Sequence, residues 1–528
     1  MKHFLGGRSS DDDDGPSGRS TSPRYNNDGP EANERTRLLP NRLDSDVAYL
    51  SPDDPAVTPY NLFTVRFTRY ITIFFTFVTF LWWILLLISL FITPPGLSSR
   101  GSGFYAFSFA SVALTTLVVL LLFFSAPSKA TRILAVIMSV FLVADMIMIL
   151  AIPKLRHQEA WTGVASAVWA LIVSAWLLIA DRTVKWGKAE EEQRLTGREE
   201  SRRTLLEWVE VLLSTFFLVV LAVATFLVTC TLIQRAVDAQ ETPPGVLYWV
   251  DGDKYQIHLH CQGNVTDSSG KKLPTVLFEG GEDPVEYGLW HFADNALANG
   301  SFSRYCFADR PGMAWSDTAP SPFSASQATE ALSEALARAG EEGPWVLASA
   351  GIGSIYSRVF SSRHGEAIKG LVLIDGLHED LLSRVGDPGR GFMLWLRGII
   401  SPLGFDRLPA ALFRGRNSQD RIWGIVSYQS GKQIFAKLQE SLVADSLTRR
   451  DVTSSRAIQL RDVPLSVISS EVQIKEDGEW ERKQKDLTQL TDNLHDWDVV
   501  RGAPHQIWKT LEGREVIERR IKQLVHGN

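Results

Sequence analysis

The chain has 528 residues and a formal net charge of -6, and 45% of its residues are hydrophobic. A chain of this length has room for about two or three domains. Its slight negative charge gives no electrostatic reason to expect a nucleic acid as a partner. Three cysteines exclude a disulfide-dense scaffold but leave room for one pair.

Residues 1–60 differ in composition from the rest of the chain. They contain the acidic run Asp11–Asp14, many Ser, Gly, Pro, Asn and Arg residues, and few aromatic residues. Such a segment cannot bury enough apolar surface to offset its chain entropy, which predicts a disordered tail. No apolar stretch follows Met1, so a secretory signal is not expected.

Residues 61–240 contain five apolar runs. The runs are Ile71–Ile92, Phe104–Phe124, Ile133–Ile152, Thr162–Ala180 and Val211–Ile233. Each has about 20 residues, enough to cross a hydrocarbon core of ~30 Å as a helix. We therefore predict a five-helix transmembrane region, with the lipid bilayer as its partner.

The distribution of Lys and Arg around these runs predicts the orientation of the protein, because such residues favour the cytosolic side. Arg66 and Arg69 precede the first span, and Lys129 and Arg132 precede the third. The loop before the fifth span contains the largest group: Arg182, Lys185, Lys188, Arg194, Arg198, Arg202 and Arg203. The opposite side has only Arg100, Lys154, Arg156 and Arg235. The N-terminus is thus expected in the cytosol and the C-terminal part in a lumen or outside the cell. An endomembrane is favoured, with a mitochondrial membrane as the alternative.

Two glycosylation triplets agree with this orientation. Asn264-Val-Thr266 and Asn299-Gly-Ser301 both fit the acceptor pattern, which is used only on the lumenal side. Inside the third span lies Asp145, a carboxylate that is costly in a membrane. Asp145 has either a functional role or a structural role in a hydrogen bond between helices, and we favour the hydrogen bond.

From about residue 245 the pattern changes to short β-branched runs that alternate with helical segments. This alternation predicts a mainly parallel sheet with helices on both faces, over residues 245–528. The predicted strands are Tyr255–Cys261, Thr275–Phe278, Arg304–Ala308, Trp345–Ala350, Gly370–Asp375, Leu465–Ser469 and Asp498–Val500.

Three motifs in this part resemble the α/β-hydrolase family over about residues 245–525. Asp309–Asp317 is similar to the family's D-R-x-G-x-G-x-S-D loop, Gly370–Asp375 resembles the strand after the elbow helix, and Ala503–Ile507 resembles the loop with the catalytic histidine. The tail and the five spans resemble a membrane region of unknown function that precedes such domains in fungal proteins. The family's sheet order would bring Cys261 beside Cys306, which implies a disulfide.

The resemblance implies a nucleophile elbow, where G-x-S-x-G presents a serine above the sheet. The matching stretch here is Ser349-Ala350-Gly351-Ile352-Gly353, so Gly351 stands at the serine position. Ser349 is an alternative nucleophile, but it lies two strand residues earlier, roughly 6–7 Å from the apex. Ser354 falls in the first turn of the following helix and is expected to face elsewhere.

The remaining parts of a hydrolase site are also implied by the resemblance. His505 corresponds to the general base, and the acid is open among Asp375, Glu471 and Asp477. Backbone N–H groups of Ile352 and Glu282 correspond to the oxyanion donors. The negative charge of Glu282 would oppose an oxyanion unless its side chain turns away. No metal and no cofactor is expected.

An insertion at about residues 380–462 occupies the place of a hydrolase cap. Its apolar stretch Phe392–Phe405 fits a lid over a lipophilic cleft, an interfacial helix, or a cap helix packed on the sheet. Two functions remain open for the whole protein. The first is a catalytically impaired domain that binds a lipid-like ligand or a partner protein. The alternative is an active ester or lipid hydrolase that uses a displaced nucleophile with His505 as base.

Overall fold

The computed structural model describes residues 57–197 and 203–527. The predicted tail lies outside the described residues up to position 56, and so do Arg198 and Arg202 of the fourth loop. All the described residues belong to one compact unit.

Five of the described helices are long and apolar enough to cross a membrane, as the sequence predicts. They are α1 (Phe63–Ser89), α2 (Phe104–Leu122), α3 (Lys129–Ala151), α4 (Pro153–Thr196) and α5 (Leu205–Asp238). The predicted span Thr162–Ala180 is too short, because α4 continues through a polar stretch rich in the helix formers Glu, Lys and Gln. These five helices are called the bundle below.

Indole groups connect α1 to α4 inside the bundle. The Nε1 atoms of Trp169 and Trp176 lie 2.8 and 3.0 Å from the hydroxyls of Thr79 and Thr72. Such bonds satisfy polar groups that lipid cannot satisfy. Asp145 is fully buried in α3, on the side of Thr229 in α5.

Eight strands form one sheet in the C-terminal domain. They are β1 (Val246–Val250), β2 (Tyr255–Gly263), β3 (Thr275–Glu279), β4 (Arg304–Ala308), β5 (Trp345–Ala350), β6 (Ile368–Ile374), β7 (Leu465–Ser470) and β8 (Leu494–Val500). Their order is β1-β2-β4-β3-β5-β6-β7-β8, and all neighbours are parallel except β1–β2 and β2–β4. The mainly parallel sheet is confirmed. The two edge strands differ from the prediction: β1 was not predicted and β8 begins earlier, because partly exposed edge strands lack a continuous apolar run.

Helices cover both faces of this sheet, and a group of them forms the cap. They are α6 (Leu289–Ala298), α7 (Ala325–Ala339), α8 (Gly353–Arg363), α9 (Leu382–Val385), α10 (Pro388–Ile400), α11 (Arg407–Arg414), α12 (Ser418–Ile422), α13 (Gly431–Val443), α14 (Arg449–Ile458), α15 (Glu471–Glu476), α16 (Gly478–Leu487) and α17 (Leu511–His526). Residues of α6 and α17 belong to the apolar core on one face, and residues of α7 and α8 to the core on the other. The cap consists of α9 to α14, inserted between β6 and β7.

The cap packs directly on the ends of two bundle helices. Phe104, at the start of α2, is fully buried and its ring centre lies 6.1 Å from that of Phe435 in α13. The Thr231 hydroxyl of α5 donates to the carbonyl of Pro402 at 2.6 Å. These contacts attach the hydrolase-like domain to the bundle through its cap.

A disulfide joins β2 to β4. Cys261 and Cys306 face each other in the antiparallel register, with Cα atoms 4.1 Å apart. Asn264 and Asn299 are both exposed. Both glycosylation triplets are therefore accessible at their asparagine.

Candidate functional site

The strand β5 ends in a sharp turn at the sequence position of the elbow. All residues of β5 are buried, Gly351 has φ of +47°, and α8 begins at Gly353. The Gly351 N–H donates to the carbonyl of Ile374 at 3.1 Å, which fixes the turn against β6. A left-handed φ favours glycine, so the turn forms here without the strain that a serine would bring.

Opposite the turn, His505 and Asp375 form a hydrogen-bonded pair. His505 Nδ1 lies 2.6 Å from Asp375 Oδ2. The other carboxylate oxygen accepts from Trp480 Nε1 at 2.9 Å and from the Ser470 N–H at 3.1 Å. Because three donors hold the fully buried Asp375 in place, the imidazole is fixed with Nε2 directed away from this carboxylate.

The other two carboxylates considered for the acid position do not reach His505. Glu471 Oε2 accepts from the Gly502 N–H at 2.8 Å, and its other oxygen lies 2.9 Å from the Lys475 ammonium. Asp477 caps α16 and pairs with Arg384. The geometry therefore selects Asp375, which sequence could not do, because the choice depends on which strand ends lie beside the histidine.

His505 Nε2 faces the position where a nucleophile side chain would begin. A Cβ atom built on Gly351 would lie 3.0 Å from Nε2. Ser349 is fully buried, and its hydroxyl has no hydrogen-bond partner among the described residues. The Ser354 hydroxyl donates to the carbonyls of Gly351 and Leu377, at 2.8 and 3.1 Å. The Ser354 hydroxyl is thus held by two carbonyls, and the Ser349 hydroxyl is buried within β5 without a contact to His505 among the described hydrogen bonds.

Burial lowers the pKa of His505, but the hydrogen bond and charge of Asp375, with the charges of Glu282 and Asp283, raise it more. The net result is a pKa above the ordinary value for histidine. A pair of this kind stabilises the imidazolium. His505 is therefore a stronger base than a free imidazole, and a larger fraction of it is protonated at neutral pH.

Arg310 holds the loop that would supply the second oxyanion donor. Its guanidinium donates to the carbonyls of Gly280 and Gly281 and pairs with Glu279 at 3.2 Å and Glu440 at 3.1 Å. The Cα of Gly281 lies 3.6 Å from the position of a Gly351 Cβ. The role of Arg310 does not follow from the sequence pattern alone, although the Asp-Arg pair of the D-R-x-G loop marks the residue.

The negative charge of Glu282 is balanced by an ion pair with a lysine of the cap. Its Oε2 lies 3.1 Å from the Lys437 ammonium of α13, and the charge of Lys437 lowers the pKa of Glu282 to about 2. The carboxylate is therefore ionised and paired at neutral pH. The predicted opposition to an oxyanion is reduced by this pairing.

A second cluster of acid and imidazole groups lies inside the sheet. His258 Nδ1 is 2.8 Å from Asp309 Oδ2 and 3.7 Å from Glu286 Oε1, and all three side chains are buried. Such groups could hold a cation. Burial and the neighbouring Asp309, however, raise the pKa of Glu286 well above its ordinary value. Burial therefore favours the protonated, neutral form of Glu286.

Strand order, the turn after β5 and the His505–Asp375 pair define the class: the C-terminal domain has the α/β-hydrolase fold. A family model described as "Region of unknown function (DUF2417)" matches residues 34–261. "Uncharacterized protein C23C11.06c" of Schizosaccharomyces pombe is 32% identical over 529 residues, covering 94% of this chain and 97% of that protein. The chain belongs to the same family as this fission yeast protein.

A further relative and two solved structures are more distant. An "Uncharacterized vacuolar membrane protein" of Saccharomyces cerevisiae is 27% identical over 383 residues, covering 62% of this chain and 59% of that protein. A carboxylesterase of Nitrososphaera gargenis matches with a TM-score of 0.40 and 13% identity, over 54% of this chain and 100% of that chain. An enol-lactonase of Burkholderia xenovorans matches with a TM-score of 0.38 and 14% identity, over 53% of this chain and 100% of that chain. These two structural likenesses are too remote to bear on activity.

Proposed function

We propose that this protein is an integral membrane protein whose α/β-hydrolase domain is catalytically silent and binds a ligand or a partner protein. The observation that carries this proposal is Gly351 at the apex of the turn. Acyl transfer through a covalent intermediate needs a nucleophile beside the base. Here the His505 Nε2 faces a position that has no side chain.

The contacts of the neighbouring serines support the same conclusion. Ser354 donates to two carbonyls at the start of α8, and Ser349 is buried within β5. Moving either hydroxyl to the apex would require a rearrangement of the strand or the helix start. A displaced serine nucleophile is therefore disfavoured.

The exposed apolar residues of the cap support a lipid-like ligand for this domain. Phe392 and Met393 of α10 are 57% and 60% exposed, although α10 packs against the end of the bundle. Apolar side chains exposed at the end of a membrane bundle fit an interface with lipid. This position supports the proposal of a lipid-like ligand.

A second candidate function is favoured by the intact His505–Asp375 pair. A water molecule activated by His505 would attack an ester directly, without a covalent intermediate. A site that lacks one member of a triad can keep roughly 10³–10⁴-fold catalysis over water. Slow ester hydrolysis that depends on His505 would identify this function.

For location, we propose an endomembrane with the C-terminal domain on its lumenal side. Support comes from the relative in Saccharomyces cerevisiae, which is named a vacuolar membrane protein. The Cys261–Cys306 disulfide fits an oxidising compartment, and the exposed Asn264 and Asn299 fit the lumenal side.

Ester hydrolysis by the full-length protein in detergent tests the proposal. Wild type, His505→Ala and Ser349→Ala are compared on short-chain and long-chain p-nitrophenyl esters. We expect the same background rate from all three proteins. A wild-type rate abolished by both changes would support a displaced serine. A rate abolished by His505→Ala alone would support the water mechanism, and either result would overturn the silent domain.

A further inference from the structure

A cavity of about 80 Å³ lies between the bundle and the cap, away from His505. Its walls come from the adjoining ends of α2, α4 and α5 and from α11, α12 and the start of α13. A cavity of this size has room for several groups the size of a water molecule. It lies where the helices leave the membrane on the side of the hydrolase domain.

The lining of this cavity has a strong excess of positive charge. Five basic side chains contribute to it, and Asp238 is the one acidic residue among the lining residues described. The five basic residues are Lys154, Arg235, Arg407, Arg421 and Lys432. Buried cations are costly unless negative partners compensate them. The balance of charge in this cavity therefore favours an anion.

Most acidic groups around the cavity are already engaged, although the charge of Glu241 also acts on Lys154. Asp238 is shared by two guanidinium groups, those of Arg407 and Arg421. Glu159, behind the wall, accepts from Arg235 at 2.6 Å. Asp317, also outside the lining, accepts from the Gln256 N–H at 3.0 Å and lies 2.7 Å from His157 Nε2.

Several of the basic side chains at the cavity have N–H groups that are free, within the described part of the chain, to donate a hydrogen bond. The buried Nε of Arg407 has no hydrogen-bond partner among the described residues. The Lys154 ammonium lies 4.8 Å from the centre of the Trp315 ring and makes no hydrogen bond within the described chain. Lys432 Nζ donates to the carbonyls of Ala314 and Ser316, at 2.5 and 2.8 Å, which leaves one N–H, and burial lowers the pKa of this ammonium to about 8. Carboxylates act on both lysines from a distance, but no ion pair joins either lysine to one among the described residues, and a bound anion would supply that direct partner.

We propose that this cavity is a binding site for a phosphate group. Arg presents a planar fork that matches phosphate oxygens, and Lys binds phosphate as a point charge. A multivalent anion fits five basic residues better than a single carboxylate does. The site does not depend on whether the His505 site is active.

Two sources would supply such a group, the headgroup of a phospholipid and free inorganic phosphate. Basic pockets between membrane helices are known to bind phospholipid headgroups on the cytoplasmic side, and the same charge complementarity would act at this end of the bundle. On the same helix as Arg407, Leu412 and Phe413 are 75% and 85% exposed, which fits acyl chains nearby. A soluble phosphate would need only the cavity itself.

Thermal unfolding of the delipidated full-length protein in detergent tests the proposal. The probes are potassium phosphate and water-soluble dihexanoyl phosphatidic acid, with potassium chloride at equal ionic strength as baseline. We expect both probes to raise the Tm of wild type in a saturable way. Lys154→Gln should raise the apparent Kd by about tenfold or more, the effect of one lost charge-assisted hydrogen bond.

The matched control is Arg461→Gln, which removes an exposed cation 3.6 Å from Asp492 and distant in sequence from the cavity walls. It should respond as wild type does. Tighter binding of phosphatidic acid than of phosphate identifies the lipid source, and equal binding identifies the free anion. If neither probe raises the wild-type Tm above the chloride baseline, or if Lys154→Gln responds as wild type does, the proposal is wrong.

Discussion

At the scale of single residues, the site combines the hydrogen-bonded His505–Asp375 pair with a glycine, Gly351, at the apex of the turn. Asp375 is held by three donors, from His505, Trp480 and Ser470. Asp375 itself has φ of +45°, a strained value for a residue that is not glycine. Gly351 relieves strain at the neighbouring turn, whereas strain persists at Asp375. The charge pair is thus present beside a turn whose apex has no side chain.

The raised pKa of His505 predicts how stability depends on pH. A histidine whose pKa is higher in the folded state stabilises the fold fully below its unfolded pKa of about 6.5. That contribution is lost as pH rises through the folded pKa. The Tm difference between wild type and His505→Gln should therefore be larger at low pH than at high pH.

Asp375→Asn provides the matched comparison for this prediction. It removes the charge that raises the pKa of His505, so the pH dependence of Tm should flatten. His526→Gln, a change at an exposed residue at the end of α17, is the control. A pH dependence that is unchanged in both His505→Gln and Asp375→Asn would contradict the role of this pair.

At the scale of elements, α13 connects the two sites described above. Near its start Lys432 lines the cavity, and further along Lys437 and Glu440 contact Glu282 and Arg310 beside the turn. The cap therefore links the two sites, because its helix α13 contacts the bundle, the cavity and the hydrolase site. A shift of α13 would change both sites together.

Arg310 is the residue through which α13 contacts the loop after β3. Arg310→Lys keeps one charge but loses the planar fork that holds Gly280, Gly281, Glu279 and Glu440. We expect the free energy of unfolding to fall by about 1–3 kcal/mol, measured by chemical denaturation in detergent. Arg338→Lys changes an exposed arginine and should have little effect. Equal stability of the two variants would contradict the role of Arg310 in holding the loop after β3.

At the scale of the whole molecule, sequence predicted the parts that depend on local pattern. Apolar length gave the five bundle helices, and β-branched runs gave the inner strands. The acid partner of His505 and the basic cavity could not be predicted from the sequence, because both depend on contacts between residues far apart in the chain. Lys154 and Lys432, for example, share a cavity only because the cap packs on the bundle.

Glycosylation tests the orientation of the whole molecule. If the C-terminal domain is lumenal, the exposed Asn264 and Asn299 accept glycans in cells. Enzymatic removal of N-linked glycans should then increase electrophoretic mobility, and this shift should disappear in Asn264→Gln with Asn299→Gln. Protease access to the C-terminal domain from the cytosolic side of sealed vesicles would contradict the orientation.

The most direct test of the silent domain is covalent labelling of Gly351→Ser by a fluorophosphonate probe. We predict no labelling of wild type, labelling of Gly351→Ser, and its loss when His505→Ala is added. The serine should cost on the order of 1–3 kcal/mol of stability, because it adopts a left-handed φ and requires a small shift of His505. Labelling of wild type at the level of Gly351→Ser would contradict the account, and so would a folded Gly351→Ser protein that is not labelled.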